Sequence, residues 1–378
     1  MATIADTLEH IQVVDEEERV FASSQWKLVW RRFRRHRIAV AALMVVLMLY
    51  TVAVFAEVFA IHDPHLATAD RAYLPPQRVR LDGIRPFVYG FKSSRDPVTL
   101  AKIHDVDLDN KYYITFFARG YEYKLLGLIT TDRHIFGLDT DVQPIPLHLL
   151  GTDRMGRDMW SRSMLGTRIS MSIGLVGVVL SLFLGILLGG VSGFKGGWID
   201  TLIQRLIELI RSMPTIPLWL ALAAAVPQQW SIIRVYFAIT VILSLIGWTT
   251  LAREVRGRFL SMREEDFVIA AQLYGTSQLG IIFRHMLPSF LSHIIAATTL
   301  AVPGIIIAET ALSFLGLGMR PPAISWGVLM FESQNIESIA LAPWLMIPGL
   351  FVIITVLAFN FMGDGIRDAA DPYAVHTN

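Results

Sequence analysis

Residues 169–190 read ISMSIGLVGVVLSLFLGILLGG, without one charged side chain. A helix of about 20 such residues crosses the hydrocarbon core of a bilayer. The run therefore sets the fold class, an all-α polytopic membrane protein. Within it Gly177, Ser181, Gly185 and Gly189 recur at every fourth residue. That spacing gathers small side chains on one helix face, where a second membrane helix can come close. It argues for a helix bundle and not for a particular function.

Working outward, Ile38–Phe59, Leu206–Val226, Ile232–Leu251, Phe290–Leu312 and Trp344–Met362 are further apolar runs, which gives about six spans. Two of them carry irregularities. Leu206–Val226 contains Glu208, Arg211, Pro214 and Pro217, with Glu208 and Arg211 spaced to pair with each other. Phe290–Leu312 contains Glu309 and is expected to break at Pro303. Apolar residues make up 53% of the 378-residue chain and charged residues 17%, too few charges for a soluble domain of this length. A net charge of +1 gives no basic face for nucleic acid, and the absence of cysteine excludes disulfides, thiolate metal sites and a cysteine nucleophile. The acidic N-terminal stretch is not a secretory signal, so the first apolar run reads as an uncleaved span.

The cluster Arg31, Arg32, Arg34, Arg35 and Arg37 precedes that first span and is expected to stay in the cytoplasm. Counting spans then divides the chain. Residues 1–37 form a cytoplasmic segment, 38–61 the first transmembrane helix, 62–150 an extracytoplasmic insertion, 151–372 a transmembrane core and 373–378 a tail. Both termini fall inside, in a multi-pass membrane protein. The loop 252–288 also falls inside and carries Arg253, Arg256, Arg258, Arg263 and Arg284. The insertion is rich in aromatic residues, and Lys111–Phe117 and Gly120–Leu126 are expected to form a hairpin in a small α/β or β unit. His62, Asp63, His65 and Asp70 read as a solvated loop.

Two segments carry motif information. Residues 263–289, REEDFVIAAQLYGTSQLGIIFRHMLPS, are polar at their edges and lie between apolar runs. Ala270, Ala271 and Gly275 would let a helix and its turn approach another backbone, and Pro288 would open the next span. An amphipathic helix pair lying in the membrane interface is the alternative. Residues 150–172 read LGTDRMGRDMWSRSMLGTRISMS. Thr152 or Asp153 would cap a short helix there, with Arg157, Arg162 and Arg168 snorkelling to headgroups or pairing with Asp153 and Asp158.

These residues resemble the membrane subunits of ATP-binding-cassette (ABC) importers. Segment 263–289 is similar to the family's loop with the pattern E-A-A-x3-G-x9-I-x-L-P, although Ile269 stands where Glu is usual and His285 where Ile is usual. Segment 150–172 resembles the stretch preceding the second span in dipeptide, oligopeptide and nickel permeases. The C-terminal third continues in the same order, with ALSFLGLG at 311–318, Ser325-Trp326-Gly327 and NFMGDGIRDAAD at 360–371. The resemblance is to the second, C-type permease of peptide-class importers. It implies a docking site for ATPase subunits at Asp266, Ala270, Ala271, Gly275, Leu287 and Pro288. The implied partners are a second homologous permease, two ATP-binding subunits, an extracytoplasmic solute-binding protein and membrane lipid. The solute would be a di- or oligopeptide, with oligosaccharide, opine or nickel chelate as alternatives.

The chain has no G-x-x-x-x-G-K-[ST] sequence, so no ATP site, enzymatic activity or cofactor is expected of it, and its histidines show no metal-ligand spacing. Glu309, Met213 and Pro214 are candidates for the pathway or its gate, against a satisfied structural glutamate and a plain helix kink. Two rival classes stay open at this point. An ion-coupled secondary transporter would need acidic residues at mid-membrane, and a membrane enzyme would need a catalytic set in the insertion.

Overall fold

The computed structural model describes residues 25–95, 102–138 and 146–370. The first 24 residues and the 373–378 tail lie outside the described residues. Helix α1 (Gln25–Arg35) leads into α2 (Arg37–Val54), whose first turn is capped by the His36 imidazole accepting from the Ala39 backbone N–H. Helix α3 (Met159–Lys195) is followed by α4 (Gly197–Ser212), α5 (Thr215–Ala224) and α6 (Ile232–Met262). A short helix, α7 (Asp266–Leu273), precedes α8 (Leu291–Phe314), α9 (Trp326–Met330) and α10 (Ile347–Ala370). Among the described residues five helical stretches are long and apolar enough to cross a membrane, with α4 and α5 together as a sixth.

That sixth span departs from the expectation of a straight or merely kinked helix over Leu206–Val226. The chain turns by 89° between α4 and α5, at Met213-Pro214. Pro214 has no N–H to donate and pushes the residue before it out of the helical region; Met213 is extended, at φ −88° and ψ 140°. The expected Glu208–Arg211 pair is also corrected. Glu208 bonds Arg205 at 2.6 Å, and Arg211 donates to the Thr250 hydroxyl at 3.0 Å. Pro303 breaks nothing: α8 runs through it, with Pro303 buried in the bundle.

The small-residue face of α3 does pack on a second helix, α6. A Cβ on Gly189 would lie 2.4 Å from the Ala252 carbonyl oxygen, and one on Gly185 would touch the Leu251 side chain at 3.0 Å. Two hydroxyls bind the backbones across this contact. Ser244 donates to the Gly177 carbonyl at 3.0 Å, and Ser181 donates to the Ser244 carbonyl at 3.3 Å. In lipid there is little hydrophobic gain between helices, so such close contact and hydrogen bonding hold the bundle together. On the other side of α3, α2 packs against α10, where Gly365 sits directly over Ala39.

The insertion between α2 and α3 is a β unit. Strands β1 (Arg80–Asp82), β2 (Arg85–Arg95) and β3 (Lys102–Tyr113) form an antiparallel sheet, with Gly83 at φ +63° in the two-residue loop joining the first pair. Strands β4 (Thr115–Phe116) and β7 (Phe136–Gly137) pair, and β5 (Arg119–Leu125) pairs with β6 (Ile129–Arg133). The two strands expected near 111–117 and 120–126 therefore exist but do not form a hairpin with each other. Ala118 and His134 form the joint: His134 donates its backbone N–H to the Ala118 carbonyl, which folds β5 and β6 back together. The unit is fastened to the helices. Ile135 donates to the Val58 carbonyl, Trp160 of α3 donates to the Phe59 carbonyl at 2.8 Å, and Phe136 meets the Trp160 ring edge-on.

Candidate functional site

Helix α6 is 31 residues long, about 46 Å at the usual rise. That exceeds the roughly 30 Å hydrocarbon core, and α7 follows directly on its C-terminal end. The segment from α7 to α8 folds as a helical knob with its own core. Val255, Phe259 and Met262 of α6 pack with Val268, Ala271, Ile281, Ile282, Met286 and Phe290, and Ile186 of α3 joins them. The Phe259 and Phe290 rings meet edge-on at 5.5 Å.

The end of α7 explains Gly275. Its backbone N–H bonds the Gln272 carbonyl, the Thr276 N–H bonds the Ala271 carbonyl, and Gly275 has φ +75°. This is the Schellman closure, which needs a left-handed residue and favours glycine. An added Cβ there would meet nothing within 4 Å, so space is not the constraint. Ser277 then caps the next turn by accepting from the Gly280 N–H. A wide π-helical turn over Ile281–Met286 carries the chain to Leu287–Ser289.

The motif residues take different positions on this knob. Asp266 is exposed in the first turn of α7, beside Glu264 and Glu265, where negative charge suits the helix N-terminus. Ala270 and Gly275 are exposed, while Ala271 is buried beneath α7 and leaves the outer face to its neighbours. Leu287 is half-buried against the core and Pro288 is exposed, both at the far end of the knob, where the chain turns into α8. What the sequence reading missed is the apolar outer face. Leu273 is 84% exposed and Tyr274 88%, with Ile269, Leu279 and Phe283 also exposed. Their signal was present: apolar residues that fall off the buried Val268–Ala271 stripe of an eight-residue helix must face outward.

The 150–172 segment is built around two carboxylates. Asp153 accepts from the Met155 and Arg157 backbone N–H groups at 2.8 and 3.0 Å, from Arg157 Nε at 2.7 Å and from Arg162 Nη1 at 3.0 Å. The cap of α3 is Asp158, not Thr152 or Asp153: it accepts from the Ser161 N–H and hydroxyl, each at 2.7 Å, and bonds His148 Nδ1 at 2.8 Å. Burial alone would raise the Asp158 carboxyl, but the bonds from His148 and Ser161 and the neighbouring His62 bring it below the usual range. Arg168 bonds both Glu57 oxygens at 2.5 Å. The expected solvated loop at His62 is corrected too. Its N–H bonds Ser161 Oγ and its ring bonds the Leu147 carbonyl, and burial pushes its pKa down to about 4.

Glu309 is fully buried. Its Oε1 accepts from Ser313 and Ser325, each at 2.8 Å, and its Oε2 from Ser170 at 3.3 Å, joining α8, α3 and the start of α9. Met213 and Pro214 lie exposed at the α4–α5 bend. Among the described residues no group of three or more His, Asp or Glu side chains is placed to hold a metal ion.

Comparison with known proteins follows the same outline. The family described as "Binding-protein-dependent transport system inner membrane component" matches residues 181–374, and "N-terminal TM domain of oligopeptide transport permease C" matches residues 24–76. The oligopeptide transport system permease protein OppC of Bacillus subtilis is 34% identical over 261 residues, covering 69% of this chain and 80% of that protein. The OppC of Haemophilus influenzae is 39% identical over 60% of this chain and 70% of its own length. The dipeptide transport system permease protein DppC of Bacillus subtilis is 36% identical over 62% and 71%. A chain of the MetNI methionine ABC transporter, solved in inward-facing conformations, aligns with a TM-score of 0.44 at 18% identity over 55% of this chain and 94% of its own. The motif order, the helical bundle and the matches over both its N-terminal and C-terminal parts agree: this chain belongs to the inner-membrane components of binding-protein-dependent transport systems, the permeases of ABC importers.

Proposed function

We propose that this chain is the C-type permease of a peptide importer and that the α7 knob is where an ATPase subunit docks. One observation carries the docking reading. The knob is fastened to α3, α6 and α8 by a buried core, yet it presents Leu273 and Tyr274 almost wholly to solvent. A rigid base with exposed large apolar side chains is suited to receive a partner and to pass its movement to the helices. Asp266, Ala270 and Gly275 lie on the accessible part of this surface, and Leu287 and Pro288 join it to α8.

In this reading the knob and both termini are cytoplasmic, and the β insertion with the Asp153 cluster faces the opposite side, where a solute-binding protein delivers cargo. A second, homologous permease completes the path, and two ATPase subunits close and reopen beneath the pair. Residues 62–150 form the extracytoplasmic insertion and 151–372 the permease core. ATP is hydrolysed by the partner subunits, while this chain transmits motion and shapes the path. The permease relatives named for oligopeptide and dipeptide transport support a peptide cargo over an oligosaccharide, opine or nickel chelate. Membership in a binding-protein-dependent family sets aside an ion-coupled transporter.

The test is purification of this chain from gently solubilised membranes, followed by reconstitution with its binding protein. Recovery of a second permease and a P-loop ATPase, with peptide uptake that requires ATP, is the expected result. A chain recovered alone, with uptake driven by a proton gradient, would overturn the reading.

A further inference from the structure

The β5–β6 hairpin ends in Leu125-Leu126-Gly127-Leu128-Ile129, where a tight turn normally carries polar residues. Leu126 and Gly127 both have positive φ, +50° and +74°. Tight hairpins usually fill such a pair of left-handed positions with Asn-Gly or Asp-Gly, because a leucine there is strained. Leu126, Leu128 and Ile129 are also exposed, Leu128 at 84%. A strained leucine beside two more exposed large apolar side chains fits a tip that meets an apolar medium.

The root of the hairpin fixes its direction. Backbone bonds from the Phe55 N–H to Thr51 and from the Phe59 N–H to Phe55 carry the α2 helix outward past Val54. Before β5 turns down, Gly120 lies against the Ile61 carbonyl, where an added Cβ would be 3.5 Å away. One residue on, the Tyr121 carbonyl oxygen is 3.1 Å from His134 Nε2, and His134 Nδ1 is 3.2 Å from the Glu57 carbonyl oxygen. Just after β6, Ile135 donates to the Val58 carbonyl. Strand β5 thus descends from the level of Ile61 toward Glu57, and β6 climbs back the same way. Their shared tip points toward the membrane. The Tyr123 ring lies 5.0 Å from that of His134. At the usual strand rise the tip reaches about 10 Å below that level, which matches roughly two turns of helix. Those are the last turns of the α2 span, where Val54 and Phe55 are exposed.

We propose that this hairpin is a membrane finger: Leu126, Leu128 and Ile129 enter the headgroup–acyl boundary of the leaflet beside α2 and brace the β unit on the bilayer. The turn is built to leave bulk water. The Gly127 N–H bonds the Lys124 carbonyl and the Leu128 N–H bonds the Leu125 carbonyl, so insertion strands neither donor. The apolar stretch stops at Lys124 and Thr130, which face each other across the ladder. That collar limits the finger to the outer roughly 5–10 Å that interfacial segments occupy, and the Lys124 ammonium can extend to lipid phosphate. Three side chains fall far short of the roughly 1,000 Å² that a stable protein interface buries. Lipid needs no surface of matching shape, and the tip continues the exposed apolar face of α2.

The chain contains no cysteine, so a single nitroxide label reports cleanly on it. Leu128→Cys and, separately, Ile129→Cys are made in the full chain, purified with the subunits that accompany it and placed in nanodiscs of phosphatidylethanolamine and phosphatidylglycerol. Met48→Cys on the exposed face of α2 is the lipid reference, and Asp109→Cys on β3 is the water reference. Collisions of each label with oxygen, which concentrates among acyl chains, and with nickel ethylenediaminediacetate, which stays in water, are read by power-saturation electron paramagnetic resonance. The expected result is an oxygen-to-nickel ratio at both tip positions on the lipid side of Asp109, at a shallower depth than Met48. A ratio equal to that of Asp109 would mean that the tip stands in water, and a label reached by neither reagent would mean that a protein subunit covers it. Either result overturns the proposal. Leu126→Asp in the Ile129→Cys chain is expected to shift the label to the Asp109 ratio, and a ratio that stays on the lipid side would overturn the role of the apolar tip in insertion.

Discussion

Arg256 on α6 grips Asp200 at the start of α4 through two parallel hydrogen bonds, Nε to Oδ1 at 2.5 Å and Nη2 to Oδ2 at 2.6 Å. The bidentate fork fixes the direction as well as the distance between the two groups. It ties the broken span to the helix that carries the α7 knob, so in the proposed docking a movement of the knob would be passed to α4. Both side chains are only partly exposed, at 30% and 15%, so the pair lies between a surface and a buried ion pair in strength. A double-mutant cycle with Asp200→Asn and Arg256→Gln is expected to give a coupling of about 1–2 kcal/mol in melting of the solubilised chain. Each single change should also lower uptake, and the exchange Asp200→Arg with Arg256→Asp should restore part of it. Uptake that is unaffected by either single change would remove this pair from the transmission path.

Substitutions at Gly275 are expected to separate the proposed docking from folding. The notable feature is its φ of +75° in open space, so substitutions differ by backbone preference rather than by bulk. Asn adopts the left-handed region with little cost, whereas Val is expected to cost about 1–2 kcal/mol. Gly275→Asp retains some of that tolerance but adds a charge on the accessible surface. The expected outcome is near-normal membrane insertion and melting for Gly275→Asn and Gly275→Asp, with ATPase co-purification and transport lost only in Gly275→Asp. Normal ATPase co-purification with Gly275→Asp would count against docking at this turn.

The α3–α6 contact predicts a graded series. A Cβ on Gly189 would lie 2.4 Å from the Ala252 backbone, which cannot move aside, whereas one on Gly185 would lie 3.0 Å from the Leu251 side chain. Gly189→Ala is therefore expected to destabilise by about 1–3 kcal/mol through overpacking, and Gly185→Ala by less. Gly304→Ala, with open space before it, should leave the melting temperature near wild type. The check is thermal melting of the three variants in one detergent, and an order other than 189, 185, 304 would refute the packing account.

Acid should loosen the junction of insertion and bundle. His62 has a folded pKa of about 4 against an ordinary 6.5, so it stays neutral where the unfolded imidazole takes up a proton. Its contribution is complete above pH 6.5 and is lost as pH falls from 6.5 toward 4. The full shift would exceed 3 kcal/mol, but the ring is only partly shielded, so a loss of about 2 kcal/mol is expected. Asp158 adds in the same direction lower down: its lowered pKa stabilises above the ordinary carboxylate value and is lost as pH falls through its own. Hydrogen exchange of residues 61–74 and 146–158 between pH 7 and pH 4, in wild type and His62→Gln, checks this. The variant should lose the step above pH 4.

The spans and the 263–289 and 150–172 segments were legible because lipid enforces long apolar helices and because motif residues carry local backbone geometry. The α4–α5 break was less so. Pro214 and Pro303 read alike in the sequence, yet one ends a helix and the other is carried through, since neighbours around Pro303 bury the turn it weakens. The β unit failed in its pairing: strand positions follow local propensity, but partners are chosen by long-range contact at Ala118 and His134. Ala270 and Ala271 likewise look equivalent as letters, and only the packed knob shows that one faces out and the other in.

Asp153 is a buried carboxylate on which several groups depend. Two guanidinium groups, Arg157 and Arg162, converge on it, and Arg157 also reaches Glu332 at 3.3 Å, beyond α9. The Asp153 and Arg162 side chains are 3% and 4% exposed, so removing the carboxylate would strand a buried cation. Such a change is expected to cost about 3–5 kcal/mol, more than the pair itself contributes. Asp153→Asn keeps the shape and an oxygen to accept from the Met155 and Arg157 backbone N–H groups, so its loss isolates the charge, and replacing Asp153 and Arg162 together by Asn and Met should recover part of the stability by removing the stranded cation as well. Melting of both variants beside the wild type measures this. The structure predicts Asp153→Asn to be the least stable, and a double variant no better than the single one would show that the loss does not come from a stranded Arg162 cation.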